Sequence, residues 1–269
     1  MKRSIAGRYP EFAMLLADPW FYAAAIPAVF LVGLSKGGFG GSMGFVGVPL
    51  MSLVMPPLQA AAILLPIMIV MDGVALWTWR GVFDRRTLTF MLPGAMAGIA
   101  LGWMLASFVT VSGIRLSVGA VALVFVGRWL WETYVRRAAF VRGHSPVRAT
   151  LWSSVAGFTS FVAHVGGPPF QIYVLPLGLD PKIMTGTSVI FFAVTNAVKL
   201  IPYFALGQFD ATNLTVSAAL LPIAPASTLL GAVLVRRMAP SVFYPFTYAL
   251  VGLIALKLVF DGLSDLLGI

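Results

Sequence analysis

The sequence predicts an all-α, polytopic membrane protein built from two tandem repeats. Hydrophobic residues make up 59% of the chain and charged residues only 10%, whereas a soluble domain carries about a quarter charged residues. Apolar runs recur along the whole length, and most are long enough to cross a ~30 Å hydrocarbon core as a helix. The same kind of glycine- and proline-rich insert interrupts these runs once in each half, at residues 37–42 and 164–169.

Each half contains five apolar segments. In the first half they cover residues 20–36, 44–55, 58–79, 88–108 and 113–131. In the second half they cover residues 150–165, 168–178, 182–206, 213–235 and 241–261. The second segment of each half is too short to span alone, because a helix of that length covers only about 16 Å. We therefore expect two half-helices and about eight full transmembrane helices.

Charge clusters divide the chain into four parts. We expect an N-terminal tail (1–19), a first transmembrane repeat (20–132), a basic connecting loop (133–148) and a second repeat (149–269). The net charge of +9 lies in short Lys and Arg clusters between apolar runs, which is typical of positive-inside anchoring rather than nucleic-acid binding. Glu11 and Asp18 precede the first apolar run, so we expect no cleaved signal peptide.

The two halves align with an offset of 124 residues. This offset places Asp72 on Asn196, and it also matches Gly33 with Gly157 and Pro57 with Pro181. The repeats are inverted if each half-helix crosses the membrane and parallel if each re-enters, and counting charges does not decide between them. We favour inversion because discontinuous helices near the midplane accompany inverted repeats.

The matched inserts predict a binding site for an anion between the halves. A glycine-rich break exposes backbone N–H groups, and the helix that follows adds a partial positive charge, so an oxyanion is favoured there. Proline suits the first turn of such a helix. The residues expected to bind are Gly40, Gly41, Ser42 and Met43 in the first half and Gly166, Gly167 and Pro168 in the second. Four other glycines within continuous apolar runs are expected to allow close helix packing instead, namely Gly33, Gly94, Gly98 and Gly102.

Ionisable residues inside apolar segments are costly and functional by default. Lys36 directly precedes the first insert, where its ammonium either reaches a bound anion or extends to the interface. Lys199 lies well inside the eighth segment, three residues after Asn196 and on the same helix face. Asp72 and Lys199 form a buried ion pair if their helices meet; otherwise Lys199 meets the substrate and Asp72 titrates.

Further polar side chains lie in and after the second insert. His164 precedes the Gly-Gly-Pro-Pro turn, where its imidazole either donates to the bound anion or, like Asp72, is a candidate for proton coupling. Side-chain donors that can orient an oxyanion follow at Gln171, Thr187, Ser188 and Asn196. Ser and Thr hydroxyls commonly bond to their own helix backbone instead.

Enzyme motifs were not found. The chain has no cysteine, no His-Glu-x-x-His, no Gly-x-Ser-x-Gly and no Walker-type phosphate loop. We therefore expect neither an enzyme nor a bound cofactor or metal.

Several motifs resemble the TauE/SafE family of sulfite exporters. They are GGFGG at 37–41 with GVPL at 47–50, GFTSFVAHVGGPPFQ at 157–171, GTS at 186–188 and YFALGQFD at 203–210. The resemblance implies a duplicated multi-pass carrier for a small sulfur-containing anion, such as sulfite or sulfoacetate, in the cell inner membrane. An anion channel and a non-transporting subunit of a larger complex stay open as alternatives. The expected partners are the anion and the lipid bilayer, with no nucleic acid, and homo-oligomerisation is left open.

Overall fold

The structure is a computed structural model that describes residues 19–39, 47–51, 53–55, 57–105, 108, 110–136, 141–205 and 211–267. All regular structure in these ranges is helical, as predicted. The helices of the first half are α1 Pro19–Gly38, α2 Gly47–Met51, α3 Pro57–Thr78, α4 Arg85–Leu105 and α5 Val111–Leu130, which a π-helical turn extends over Trp131–Val135.

The second half repeats this order of long and short helices. It contains α6 Pro146–Ala163, α7 Gly167–Val174 with a 3₁₀ turn at Leu175–Leu177, α8 Pro181–Ala205, α9 Ala211–Leu220, α10 Ile223–Arg237 and α11 Pro240–Leu267. The helix bounds agree with the predicted segments to within a few residues, except that the segment predicted at 213–235 is two helices. The short α2 and α7 occupy the places predicted for half-helices.

The number of spanning helices differs from the eight expected. Within the described residues, six helices are long and apolar enough to cross a membrane, and a seventh span forms if the bent pair α9 and α10 is counted as one. This pair bends by 49° where Pro222 precedes α10, because proline lacks an N–H donor and disfavours helical backbone before it. The remaining predicted span, α6, is not among the six, and it carries five hydroxyl side chains, at Thr150, Ser153, Ser154, Thr159 and Ser160.

Helices of the two halves pair with each other. α1 packs along α10 and α4 along α6, while α3 contacts α8 and α5 contacts α11. With the 124-residue offset, α1 corresponds to α6 and α4 to α10, so the pair α1–α10 is equivalent to the pair α6–α4. α3 corresponds to α8 and α5 to α11, so each of these two pairs joins equivalent helices. Pairing of this kind between the halves is expected of a duplicated chain, and it supports the predicted repeat. The repeat, and whether its halves are inverted or parallel, stay predictions.

Glycine permits the closest of these helix contacts. A Cβ atom at Gly98 of α4 would lie 2.0 Å from the carbonyl oxygen of Ser154 in α6, and one at Gly33 of α1 would lie 1.9 Å from Ser227 Oγ in α10. Gly94 and Gly102 likewise face α6. The predicted packing role of these four glycines is therefore confirmed.

Buried apolar side chains form two large clusters. One is centred on α1, α3 and α9, and includes Phe21, Leu64 and Met71. The other, which includes Phe170 and Phe243, joins α4 to α7 with α8, α10 and α11. Buried polar residues of α1, α3, α6 and α8 also contact each other, and they include the predicted site residues Lys36, Asp72, Asn196 and Lys199.

Candidate functional site

A buried ion pair joins α1 to α3 and is extended by α8. Lys36 Nζ donates to Asp72 Oδ1, and Asn196 Nδ2 donates to Asp72 Oδ2 at 2.7 Å. The exposed fractions are 7% for Lys36, 4% for Asp72 and 3% for Asn196. Each oxygen of the carboxylate thus has its own donor, which is the condition under which a buried charge is tolerated.

The hypothesis of an ion pair between Asp72 and Lys199 is wrong. Lys36 and Asn196 occupy the two oxygens of Asp72, whereas Lys199 Nζ donates to Ser160 of α6, to Oγ at 3.0 Å and to the backbone oxygen at 3.3 Å. Lys36 likewise does not extend to the membrane interface, because it is buried and paired. The alternative that leaves Lys199 without a carboxylate partner is the one that agrees with this geometry.

Lys199 is the unusual member of this group. Its side chain is fully enclosed, at 1% exposure, and no carboxylate of the described residues forms an ion pair with it. It lies within electrostatic reach of Lys36 and Asp72. With both lysines protonated, two positive charges and one negative charge would lie together in this buried place.

His164 closes the group at the end of α6. It is the C-terminal cap of that helix, in a left-handed conformation with φ of 55°, and its Nε2 lies 2.7 Å from the hydroxyl of Tyr203. It also lies within electrostatic reach of Lys199 and Lys36. A non-glycine residue held at positive φ is strained, and such strain clusters at functional sites.

The second insert turns the chain from α6 into α7 beside Lys199. Gly166 is the N-terminal cap of α7, and a Cβ atom there would lie 2.7 Å from Cβ of Ser160, the residue that accepts from Lys199. Proline occupies the first turn, as predicted. Because Pro168 and Pro169 carry no N–H, the backbone donors at this helix start come from Gly166 and Gly167.

The first residues of the first insert contact helices of the second half. The carbonyl oxygens of its last described residues accept from three side chains: Gly37 from Trp79 Nε1 at 2.7 Å, Gly38 from Thr185 Oγ1 at 2.9 Å and Phe39 from Gln171 Nε2 at 3.2 Å. Two of these donors belong to α8 and α7. The expected ligands Gly40, Gly41, Ser42 and Met43 lie outside the described residues.

Gln171 has one polar atom left over. Its side chain is fully buried, and Oε1 has no hydrogen-bond partner among the described residues. Since buried polar atoms are normally paired, this acceptor marks a place where a ligand hydroxyl or a water can bond.

Two predicted binding residues use their hydroxyls elsewhere. Thr187 Oγ1 donates to Ile183 O at 2.7 Å and accepts from the backbone N of Asp84 at 2.8 Å, at the start of α4. Ser188 Oγ donates to Thr185 O at 2.7 Å. Neither hydroxyl contacts the Lys36, Asp72, Asn196 and Lys199 group, and their part in binding stays a prediction.

Ser160 and Tyr203 also lie at the site, although neither was among the residues predicted to bind. Tyr203 follows Lys199 by four residues and Asn196 by seven, which places all three on one face of α8. Ser160 is the 124-residue equivalent of Lys36. The spacing of Tyr203 and the equivalence of Ser160 with Lys36 can both be read in the sequence. They indicate a place in the site only because the structure shows that Lys199 faces α6.

We refer to Lys36, Asp72, His164, Ser160, Asn196, Lys199 and Tyr203 as the polar cluster. It offers buried ammonium and amide donors and a partly buried histidine, which suits an anion more than a cation. The described residues contain no group of three or more His, Cys, Asp or Glu that could hold a metal ion.

Comparison with known proteins gives one match. A family model described as "Sulfite exporter TauE/SafE" matches residues 25–258, a range that includes both inserts and the whole polar cluster. No curated protein matches the chain, and no solved structure does.

Proposed function

The chain belongs to the TauE/SafE family of sulfite exporters, and we propose that it is a secondary transporter that moves sulfite or an organosulfonate such as sulfoacetate across the cell inner membrane. The family is one of membrane transporters, and the six or seven spanning helices agree with a multi-pass protein. In this proposal the anion binds between the two inserts, and access alternates between the two sides.

The observation that supports the proposal most is the buried side chain of Lys199, which has no carboxylate partner among the described residues. A charge enclosed without a counterion is expensive, and an entering anion would supply that counterion. Ser160, which now accepts from Lys199, would keep the ammonium oriented in the absence of substrate. The helix start at Gly166 and Gly167 adds N–H donors next to Ser160, so a sulfite or sulfonate group would meet donors from α6, α7 and α8.

The contacts between halves support alternating access. The start of the first insert is held by Thr185 and Gln171 of the second half, and Asp72 is held by Asn196. An anion that competes for these donors would alter contacts between the halves, and a difference in binding energy between two states is what drives such a transition.

Two measurements test the proposal. A thermal-shift screen of the purified protein with sulfite, sulfate, thiosulfate, sulfoacetate and taurine should show stabilisation by at least one sulfur-containing anion, since a ligand that binds the native state raises stability by mass action. In proteoliposomes, uptake of the labelled anion should saturate and show counterflow. Ohmic single-channel currents would point to a channel, and the absence of any stabilising anion or uptake would overturn the proposal in favour of a non-transporting subunit.

A further inference from the structure

An apolar cleft opens on the outer surface between α5, α6 and α7. It has a volume of about 520 Å³, which is in the range of single-ligand sites. Its walls are almost entirely apolar, with Val121 and Leu151 exposed along its mouth. At its far end the cleft reaches Thr159, near the end of α6, and Pro169, the last residue of the second insert.

A pocket lined by three arginines continues this cleft. It has a volume of about 190 Å³ and shares Val121, Trp152 and Ile172 with the apolar cleft. Arg128 comes from the last turn of α5, Arg142 from the connecting segment and Arg148 from the first turn of α6. We call this the arginine pocket.

The arginine pocket carries no compensating acid among its lining residues. The backbone holds two of its arginines in place, because the backbone N of Arg142 donates to Pro176 O at 2.6 Å and Arg148 Nη2 donates to Gly143 O at 2.7 Å. The guanidinium of Arg128 has no ion pair or hydrogen bond with the described residues. Arginine binds phosphate oxygens with two parallel N–H donors, so the pocket suits a phosphate group.

We propose that the cleft and the arginine pocket together bind one anionic phospholipid, with the phosphate on the arginines and an acyl chain along the apolar cleft. Gly113 and Arg128, at the two ends, are about 22 Å apart along α5 at 1.5 Å per residue. This length exceeds the ~15 Å of hydrocarbon in one leaflet, so an acyl chain fits along it. Basic pockets at the membrane surface next to apolar grooves have this recognition chemistry.

The lipid would act on the polar cluster through α7. Ile172 lines the cleft, and its chain neighbour Gln171 donates to Phe39 at the first insert. Pro169, at the far end of the cleft, lies in the first turn of the same helix. An acyl chain that packs against these residues would therefore hold α7 in the position seen in the structure. Bound lipid would in this way favour one arrangement of the two inserts.

The test compares lipid retention by native mass spectrometry of the full chain. Phosphatidylglycerol should stay bound where phosphatidylcholine with the same acyl chains does not. Replacing Arg128→Gln, Arg142→Gln and Arg148→Gln together should weaken phosphatidylglycerol binding about fivefold per arginine and roughly 100-fold in total. The matched control replaces three exposed arginines that line neither the cleft nor the arginine pocket, Arg80→Gln, Arg85→Gln and Arg237→Gln, and should retain the lipid.

Two further variants extend the test. Ser117 is exposed at the cleft wall, so Ser117→Trp should fill the groove and reduce lipid retention without disturbing the core. If the triple variant does not fold, Arg128→Gln alone should still show the fivefold loss. Equal retention of both lipids, or equal loss in the control, would overturn the proposal, and so would displacement by millimolar glycerol phosphate, which would identify a site for soluble phosphate. Sulfite stabilisation is measured separately, so failure here leaves the transport proposal standing.

Discussion

Asn196 donates its side-chain N–H to Asp72 Oδ2 at 2.7 Å, although the two residues are 124 positions apart. That separation equals the offset that aligns the two halves of the chain. If the two halves are a repeat, as predicted, equivalent residues can touch only next to the axis that relates the halves. On that prediction the polar cluster lies centrally between the halves, and its two sides differ in charge, because Asp72 corresponds to Asn196 and Lys36 to Ser160.

Replacement of Lys199 separates binding from stability. Lys199→Met is expected to weaken binding of the stabilising anion about 10- to 100-fold, because hydrogen bonds to charged groups contribute about 1.5–3 kcal/mol. The unliganded protein should unfold at the same or a higher temperature, since a buried charge without a counterion has been removed. Thermal shift with and without the anion measures both quantities.

The matched control for that variant is Lys257→Met. Lys257 is exposed and paired with Asp261 on the same helix, so its loss should leave the anion response intact. Unchanged affinity in Lys199→Met would remove Lys199 from the binding site.

The pair of Lys36 and Asp72 is expected to show strong energetic coupling. Asp72→Asn leaves the ammonium of Lys36 buried without a counterion, which costs about 3–5 kcal/mol. The double variant Lys36→Met with Asp72→Asn should recover much of this loss, because the charge of Lys36 is removed together with that of Asp72 and Asn196 keeps an amide oxygen to donate to. Unfolding temperatures of the two single variants and the double variant form the cycle, and strictly additive effects would contradict the ion pair.

Glycine packing between α4 and α6 gives a prediction about stability. Gly98→Ala places a methyl group 2.0 Å from the Ser154 carbonyl, so the helices must separate, and we expect a loss of about 1–3 kcal/mol. Gly73→Ala is the control, because a Cβ atom there meets nothing within 4 Å. The yield of monodisperse protein and its unfolding temperature should fall for the first variant only.

The backbone of His164 is expected to carry strain that glycine relieves. Left-handed conformation costs a non-glycine residue about 1–2 kcal/mol, and both His164→Gly and His164→Ala remove the contact with Tyr203. The glycine variant should therefore be the more stable of the two by about 1 kcal/mol, measured by thermal unfolding. A more stable alanine variant would show that the loop relaxes to another conformation.

The sequence predicted the fold class, the order of the helices and the family because these depend on local composition. Apolar runs of membrane-spanning length, and breaks rich in glycine and proline, are visible without knowing any contact. The bend before α10 was not predicted. The prolines at positions 27 and 66 lie inside helices that continue past them, so the presence of a proline does not by itself identify a break such as the one at Pro222.

Only the tertiary structure decided which charge neutralises Asp72. Lys36, Asp72 and Lys199 belong to three different helices, and each residue along a helix turns the side chain by about 100°. The choice of partner therefore depends on how α1, α3 and α8 are rotated against each other, which the close glycine contacts along α1 and the packing of α3 on α8 determine. The sequence by itself predicted that buried charges and interrupted helices occur together, whereas the packing paired Lys36 with Asp72 and left Lys199 without a carboxylate partner among the described residues.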